Sequence, residues 1–135
     1  MRSRIEQELA VLRPVYRTVD HVEQAGEDWF RLDPYPLPLD WRIGIEVVTE
    51  VPIAFLIKPD YPGSPPYGFL TPSGMNFKGT APKNTGNPPK PVPFEGDWLH
   101  FSWQVRDWST TSEVTKGSNL LAWSRSFAVR LKEGV

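Results

Sequence analysis

Apolar residues recur with a helical period near the beginning of the chain. Ile5, Leu9 and Leu12 lie at positions i, i+4 and i+7, which is the spacing of one face of a helix. We therefore predict an amphipathic helix over about residues 3–13. Pro14 is expected to mark its end, because a proline biases the residue before it away from helical geometry.

The C-terminal stretch has the strongest helical pattern. Either Ser118 or Asn119 can cap the start of this helix with a side-chain oxygen, and Gly134 is placed to end it. Its apolar stripe consists of Leu120, Trp123, Phe127 and Leu131. We expect this stripe to pack against the rest of the protein.

The chain between the two helices has the composition and the alternation of β-strands. Several segments are rich in β-branched or aromatic residues, and we predict a strand for each of them. They are Tyr16–Val22, Trp29–Leu32, Arg42–Val48, Ile53–Ile57 and Tyr67–Leu70, followed after a gap by the extended piece Trp98–Trp103. The continuous apolar run Ile53–Ile57 is typical of a central strand that is buried on both faces. Asp33–Pro38 is expected to form an extended loop.

Prolines shape the middle of the chain. The chain has 15 prolines in 135 residues, and all except Pro14 lie between Pro34 and Pro93. We predict a long loop over residues 71–97, where proline and glycine replace any periodicity. Within it, Pro88–Pro91 resembles a polyproline II ligand, although a stiff spacer is the simpler interpretation. The 6 tryptophans argue against disorder, so we expect a single packed domain over residues 1–135.

Composition removes several classes of function. The net charge of -1 provides no field that would hold nucleic acid or an anionic membrane. No segment has the length of a membrane span or the apolar core of a signal peptide, so we expect a cytoplasmic protein. The chain has no cysteine, which excludes disulfides, thiolate zinc sites and a cysteine nucleophile. No second histidine lies near His21, so we expect no metal site and no cofactor.

The predicted order of elements indicates an α+β fold: a helix, an antiparallel meander, a long loop and a second helix. One block of this sequence resembles a known superfamily. Between Ile53 and Thr71 the sequence consists of an apolar strand, the turn Pro59–Pro62, the Pro65-Pro66 step and a further strand. This order is similar to the region between the third and fourth strands of ubiquitin-conjugating (UBC-like) enzymes. The Trp108-Ser109 step before the final helix adds to the likeness.

The resemblance is strongest to divergent bacterial members of this superfamily, which accompany ubiquitin-like proteins and activating enzymes in conjugation or phage-defence operons. It rests further on Trp29–Leu32, Tyr35–Pro38, Trp98, Phe101-Ser102 and Trp108, and it covers essentially the whole chain. It implies a UBC-like fold with a four-stranded antiparallel meander between the helices. It also implies a transferase activity in antiviral defence, with a ubiquitin-like protein and its adenylating enzyme as partners.

The chain departs from the family pattern at the residues that carry out the reaction. Conjugating enzymes have a His-Pro-Asn step and then a cysteine that receives the ubiquitin-like C-terminus as a thioester, and this chain has neither. The place of the cysteine falls within residues 98–103, where Ser102 is the best hydroxyl substitute. Strand side chains repeat every two residues, so His100 is expected on the same side as Ser102. His100 would act as general base, oriented by Asp97 or Asp107, and Ser102 would carry an oxyester.

Three hypotheses for the function follow. In the first, the chain is an atypical conjugating enzyme that uses Ser102, with Ser109 and Ser73 as lesser acceptor candidates and Asn76 or a loop amide as oxyanion donor. In the second, His100 and Ser102 only pack, and the chain is a catalytically inactive UBC-like domain that binds a ubiquitin-like protein or its activating enzyme. The third is a generic peptide-binding domain, which the aromatic and proline content suggests. A native cysteine exchanged for serine or alanine would also give a sequence without cysteine.

Four residues are candidates for contacts with these partners. By family resemblance, Arg2 and Arg4 on the first helix would face the activating enzyme, although solvated charges are the simpler interpretation. Trp98 and Trp108 would belong to an aromatic partner surface, although dense tryptophans usually build a core.

Overall fold

The computed structural model describes residues 2–135, except for the side chain of Arg2. Helix α1 spans Arg2–Leu12 and helix α2 spans Leu120–Glu133. The strands between them are β1 Thr18–Gln24, β2 Glu27–Pro36, β3 Trp41–Ile43, β4 Glu46–Val47, β5 Glu50–Ile57, β6 Phe69–Pro72, β7 Met75–Phe77, β8 Thr85–Gly86 and β9 Trp98–Phe101. In the described part of the chain, neither helix combines the length and the apolar character that crossing a membrane requires.

The predicted α+β class is confirmed, but the predicted four-stranded meander is wrong. The large sheet has six strands in the order β1-β2-β5-β6-β9-β8, and a small sheet has the order β4-β3-β7. Strand β9 pairs antiparallel with β6, with Leu70 opposite His100 and Phe69 opposite Phe101. The extended piece predicted near residue 98 is therefore a strand of the large sheet. Strand β5 lies between β2 and β6, which confirms its predicted central place.

Three local predictions were wrong, because a turn lies within apolar sequence and strands lie within proline-rich sequence. Arg42–Val48 is not one strand but the β3–β4 hairpin, in which Gly44 turns the chain with a φ of 62°. Ile45 at that turn is 95% exposed, so its place in the alternating pattern was misleading. Residues 71–97 are not one loop, since they contain the end of β6 and the strands β7 and β8. The predicted loop at Asp33–Pro38 begins as β2, which continues to Pro36 past a register shift.

The main core lies between the large sheet and both helices. It contains the predicted stripes of the helices and the alternating side chains of β2, β5, β6 and β9 that point toward them. Phe127 of α2 stacks on Phe69 of β6 with ring centroids 4.4 Å apart. The opposite side of the sheet, called here the outer face, contains a smaller cluster of Trp29, Ala54, Leu70 and Trp98. Because strand side chains alternate, each central strand contributes to both clusters.

A buried carboxylate joins the two helices. Glu8 of α1 is fully buried, and its Oε1 accepts a hydrogen bond of 2.9 Å from the backbone N–H of Leu120 at the start of α2. Its Oε2 accepts from Arg4 Nε at 3.0 Å and from the hydroxyl of Tyr61. Tyr61 belongs to the Pro59–Pro62 turn after β5, so that one side chain holds this turn beneath the sheet.

Candidate functional site

A cavity of about 390 Å³ opens on the outer face of the large sheet. His100 of β9 lines it and is half-buried. Trp29 and Leu70 form part of the floor, and the loop between β5 and β6 supplies Pro66 and Tyr67. The sequence predicted His100 as a site residue, but it did not predict this cavity.

Gly68 determines where the imidazole of His100 can lie. A Cβ atom on Gly68 would come within 2.2 Å of His100 Nε2, so no larger residue fits there without displacing the imidazole. Gly68 also has a φ of 78°, which favours glycine, and its N–H donates to the carbonyl oxygen of Trp103 at 2.7 Å. The ring of Tyr67 lies 6.3 Å from the imidazole. The Tyr67-Gly68 step therefore positions His100, and the only sequence signal for it was a glycine immediately before a strand.

His100 carries a neutral imidazole near neutral pH. Partial burial lowers its pKa below the usual value of 6.5, because the charged form loses solvation. Among the residues that the structure describes, none forms a hydrogen bond with the imidazole. The neutral imidazole therefore keeps one N–H donor and one acceptor nitrogen that the described chain does not use.

The structure does not bring His100, Ser102 and Asp107 together as a hydrogen-bonded set. Ser102 follows the end of β9, is exposed, and lies in a different depression, beside Trp103. Tyr67 borders both depressions. Asp107 is exposed in the loop before α2, and no contact within the described chain joins it to either residue.

The lesser candidates are engaged in local structure. The side chain of Asn76 donates to the carbonyl of Gly44 at 2.9 Å and accepts from the N–H of Gly79 at 2.9 Å, which ties two turns together. Ser109 pairs with Ser118 through its backbone, at a distance from β9 along the chain. An oxyanion role for Asn76 would require these amide hydrogen bonds to break.

The predicted partner residues are less available than expected. Arg4 is buried, and its guanidinium donates to the carbonyl oxygens of Thr111 at 2.6 Å and Ser118 at 3.4 Å, so the interpretation as a solvated charge is wrong. The side chain of Arg2 lies outside the described residues. Trp98 is buried in the outer-face cluster, and its indole donates to the carbonyl of Phe94 at 3.3 Å.

Trp108 lies against the turn after β5. Its ring centroid is 6.0 Å from that of Tyr61, and its indole N–H donates to the carbonyl of Pro62 at 3.3 Å. This tryptophan therefore packs the loop before α2 onto the core.

His21 has a structural partner. Its Nε2 lies 2.7 Å from Asp28 Oδ1 across the β1–β2 pair. The described part of the chain contains no group of three or more His, Asp or Glu side chains suited to binding a metal.

The proline-rich segment after β8 borders the cavity. Pro89 and Lys90 line the cavity, and Lys90 Nζ lies 2.5 Å from Glu27 Oε1 of β2. Farther along, Val92 and Phe94 pack against the outer-face cluster. This segment therefore covers part of the outer face and forms one wall of the cavity.

No model of a known protein family, no curated protein and no solved structure matches this chain.

Proposed function

We propose that the chain is a UBC-like binding domain of a ubiquitin-like conjugation system and that it carries out no covalent step. Part of the architecture supports this assignment, since α1 comes first, β1-β2-β5-β6 are neighbouring antiparallel strands and α2 comes last. Strands β9 and β8 extend the sheet beyond the four strands that the resemblance implies. The turn that carries the resemblance is also built into the core, because Tyr61 is only 1% exposed and bonds to Glu8.

One observation carries the non-covalent part of the proposal: His100 and Ser102 are not hydrogen-bonded and line different depressions. A general base has to lie within hydrogen-bond reach of the proton that it removes. The chain has no cysteine that would replace the serine as acceptor. Binding a ubiquitin-like protein or its activating enzyme needs no such reactive pair.

A second candidate function is transfer through an oxyester on Ser102. It is favoured by the exposed position of this serine, whose hydroxyl has no partner among the described side chains. Ser102 Oγ would attack the carbonyl carbon of the activated ubiquitin-like C-terminus and lose its proton to solvent, and the activating group would leave. A substrate amine would then displace the serine oxygen.

Intact mass spectrometry distinguishes the two functions. The protein is incubated with a bacterial ubiquitin-like protein, its activating enzyme and ATP, and the same mixture is examined by size-exclusion chromatography. We expect an unchanged mass and a co-eluting non-covalent complex. The variant Ser102→Ala should behave in the same way.

Two other results would contradict this proposal. An adduct that survives thiol reductant, is cleaved by hydroxylamine and disappears in Ser102→Ala would establish the oxyester enzyme. The absence of both an adduct and a complex, with partners that charge normally, would remove the conjugation assignment altogether.

A further inference from the structure

The two edges of the large sheet differ in how they meet another chain. Strand β8 at one edge has two residues, and Pro88 and Pro89 follow it closely. Short strands and prolines keep an edge from pairing with another chain. Strand β1 at the other edge has seven residues, and all of them pair with β2 without a register shift. Because β1 is long, regular and free of proline, this edge has neither form of protection.

The turn after β1 determines which backbone groups of the strand face outward. Ala25 and Gly26 form a two-residue turn with φ of 55° and 79°, and positive φ at both central residues is typical of type I′. In such a turn the two flanking residues, of which Gln24 is one, bond to each other. Hydrogen-bonded and non-hydrogen-bonded pairs alternate along antiparallel strands, so Val22 also bonds to β2. The N–H and C=O of His21 therefore point away from β2, and no backbone group of the described chain bonds to them.

The side chains on the outer face of β1 form a self-complementary row. This row is Asp20, Val22 and Gln24, since strand side chains point to opposite faces in turn, and Val22 packs on the outer-face cluster. If two copies of β1 run antiparallel about a two-fold axis at Val22, Asp20 of each copy lies opposite Gln24 of the other. The two Val22 side chains then face each other at a non-hydrogen-bonded position, where opposed side chains are closest.

Other positions of the axis give poorer pairs. An axis at His21 places the Asp20 carboxylate opposite the apolar side chain of Val22. An axis at Asp20 places two carboxylates opposite each other, which is destabilising. The pattern of charged, apolar and amide side chains therefore favours the axis at Val22 and a second copy of the same strand.

We propose that β1 pairs antiparallel with β1 of a second copy of this chain, about a two-fold axis at Val22, so that two six-stranded sheets become one continuous sheet. The Gln24 amide then donates to the Asp20 carboxylate of the other copy. That carboxylate is bonded to Arg31 of its own chain at 2.9 Å, but its side chain is still 44% exposed. The same surface serves on both copies, as in an isologous dimer. Strand β1 lines no part of the cavity, and the contact does not rest on the conjugation role.

Sedimentation equilibrium of the protein alone tests the proposal. We expect the average mass to rise from that of a monomer toward that of a dimer between about micromolar and about millimolar protein, because a contact through one strand is small. Amide hydrogen exchange gives a second readout. The amide of His21 should exchange more slowly in concentrated than in dilute protein, whereas that of Val22, which bonds to β2, should be protected in both.

Charge changes at Gln24 test the register. Gln24→Lys places a cation opposite Asp20 of the other copy and should tighten the dimer about two- to tenfold. Gln24→Glu places two carboxylates opposite each other and should weaken it by a similar factor. Gln24 is exposed, so neither change disturbs the core. The matched control Gln7→Lys makes the same change at an exposed residue of α1 and should leave the dissociation constant unchanged.

Several results would overturn the proposal. A monomeric mass up to about millimolar protein would exclude the contact. Equal dissociation constants for Gln24→Lys and Gln24→Glu would exclude the register, and so would an effect of Gln7→Lys as large as that of Gln24→Lys. A dimer in which the amide of His21 exchanges as fast as in the monomer would place the contact on another surface. The assay uses neither the ubiquitin-like protein nor its activating enzyme, so its outcome is separate from that of the conjugation experiment.

Discussion

Tyr61 donates a hydrogen bond from its buried phenol to the carboxylate of Glu8, which lies 53 positions earlier in the chain. The same carboxylate accepts from Arg4 and from the backbone of Leu120. One buried charge therefore fixes the first helix, the turn after β5 and the start of the second helix relative to one another. A buried, fully hydrogen-bonded network of this kind is sensitive to the loss of any member.

We predict that Glu8→Gln strongly destabilises the fold. The variant leaves the buried guanidinium of Arg4 without a countercharge, and breaking a buried ion pair from one side costs about 3–5 kcal/mol. Equilibrium unfolding in urea measures this free energy. The control Glu6→Gln changes an exposed carboxylate on the same helix and should stay within about 0.5 kcal/mol of the parent. Equal unfolding midpoints for the two variants would show that the network contributes nothing.

A second prediction concerns alkaline pH. Burial raises the pKa of Tyr61 above its usual 10.0, and the negative charge of Glu8 raises it further. A group whose pKa is raised by folding stabilises the protein fully below its unfolded pKa, and this stabilisation is lost as the pH rises above that value. Unfolding free energies measured between about pH 9 and pH 11 should therefore fall less steeply for Tyr61→Phe than for the parent.

Tyr35 also has its pKa raised by burial, and it remains in the variant, so the difference between the two slopes reports on Tyr61 alone. The substitution Val47→Ala, at an exposed residue that does not titrate, serves as control and should leave the slope of the parent unchanged. A Tyr61→Phe slope as steep as that of the parent would contradict the assignment.

The third prediction separates the two cap candidates that the sequence left open. Asn119 is the N-cap of α2, and its Oδ1 accepts from the N–H of Ala122 at 2.8 Å. The variant Asn119→Ala should lower the free energy of unfolding by about 1 kcal/mol, because the N–H of Ala122 loses its acceptor. Ser118→Ala removes only an exposed bond to the N–H of Ser109 and should cost less. Thermal unfolding of both variants measures the difference, and the reverse order would make Ser118 the effective cap.

The sequence predicted those parts of the fold that depend on the local spacing of apolar and capping residues. The α1 stripe of Ile5, Leu9 and Leu12 is buried as the spacing predicted, and Gly134 follows the end of α2. Such features depend on residues a few positions apart. The alternation that included Ile45 was misleading because one glycine turned an apparent strand into a hairpin.

The candidate site was predictable only in part, since it depends on contacts between distant segments. The sequence pointed to His100 because a histidine lies near the place of the missing cysteine. It could not show that Gly68 makes room for the imidazole or that Tyr67 borders both the cavity of His100 and the depression of Ser102. Both facts follow from the pairing of β6 with β9, which no local pattern specifies.

The fourth prediction tests the close approach of Gly68 to His100. Gly68→Ala places a Cβ against the imidazole at a φ of 78°, whereas Gly26→Ala meets nothing within 4 Å at a φ of 79°. Both variants bear the cost of the left-handed backbone, about 1–2 kcal/mol. Gly68→Ala should lose about 1–3 kcal/mol more in urea unfolding, because of overpacking. Combining it with His100→Ala should restore part of that excess, and equal losses at Gly68 and Gly26 would rule out the steric role.

The last prediction concerns acid pH and His100. Because folding lowers the pKa of His100, the protein favours the neutral imidazole, and the resulting stabilisation is fully present above the unfolded value of 6.5. It is lost as the pH falls from that value toward the folded pKa, since the unfolded chain then binds the proton more readily. The unfolding free energy should therefore decrease between about pH 7 and pH 5, and the decrease should be smaller in His100→Gln. Proton resonances of the imidazole, followed by nuclear magnetic resonance, should give a titration midpoint below 6.5. A midpoint above that value would mean that the imidazole is solvated or paired with an acid, and it would contradict the burial to which we attribute the lowered pKa.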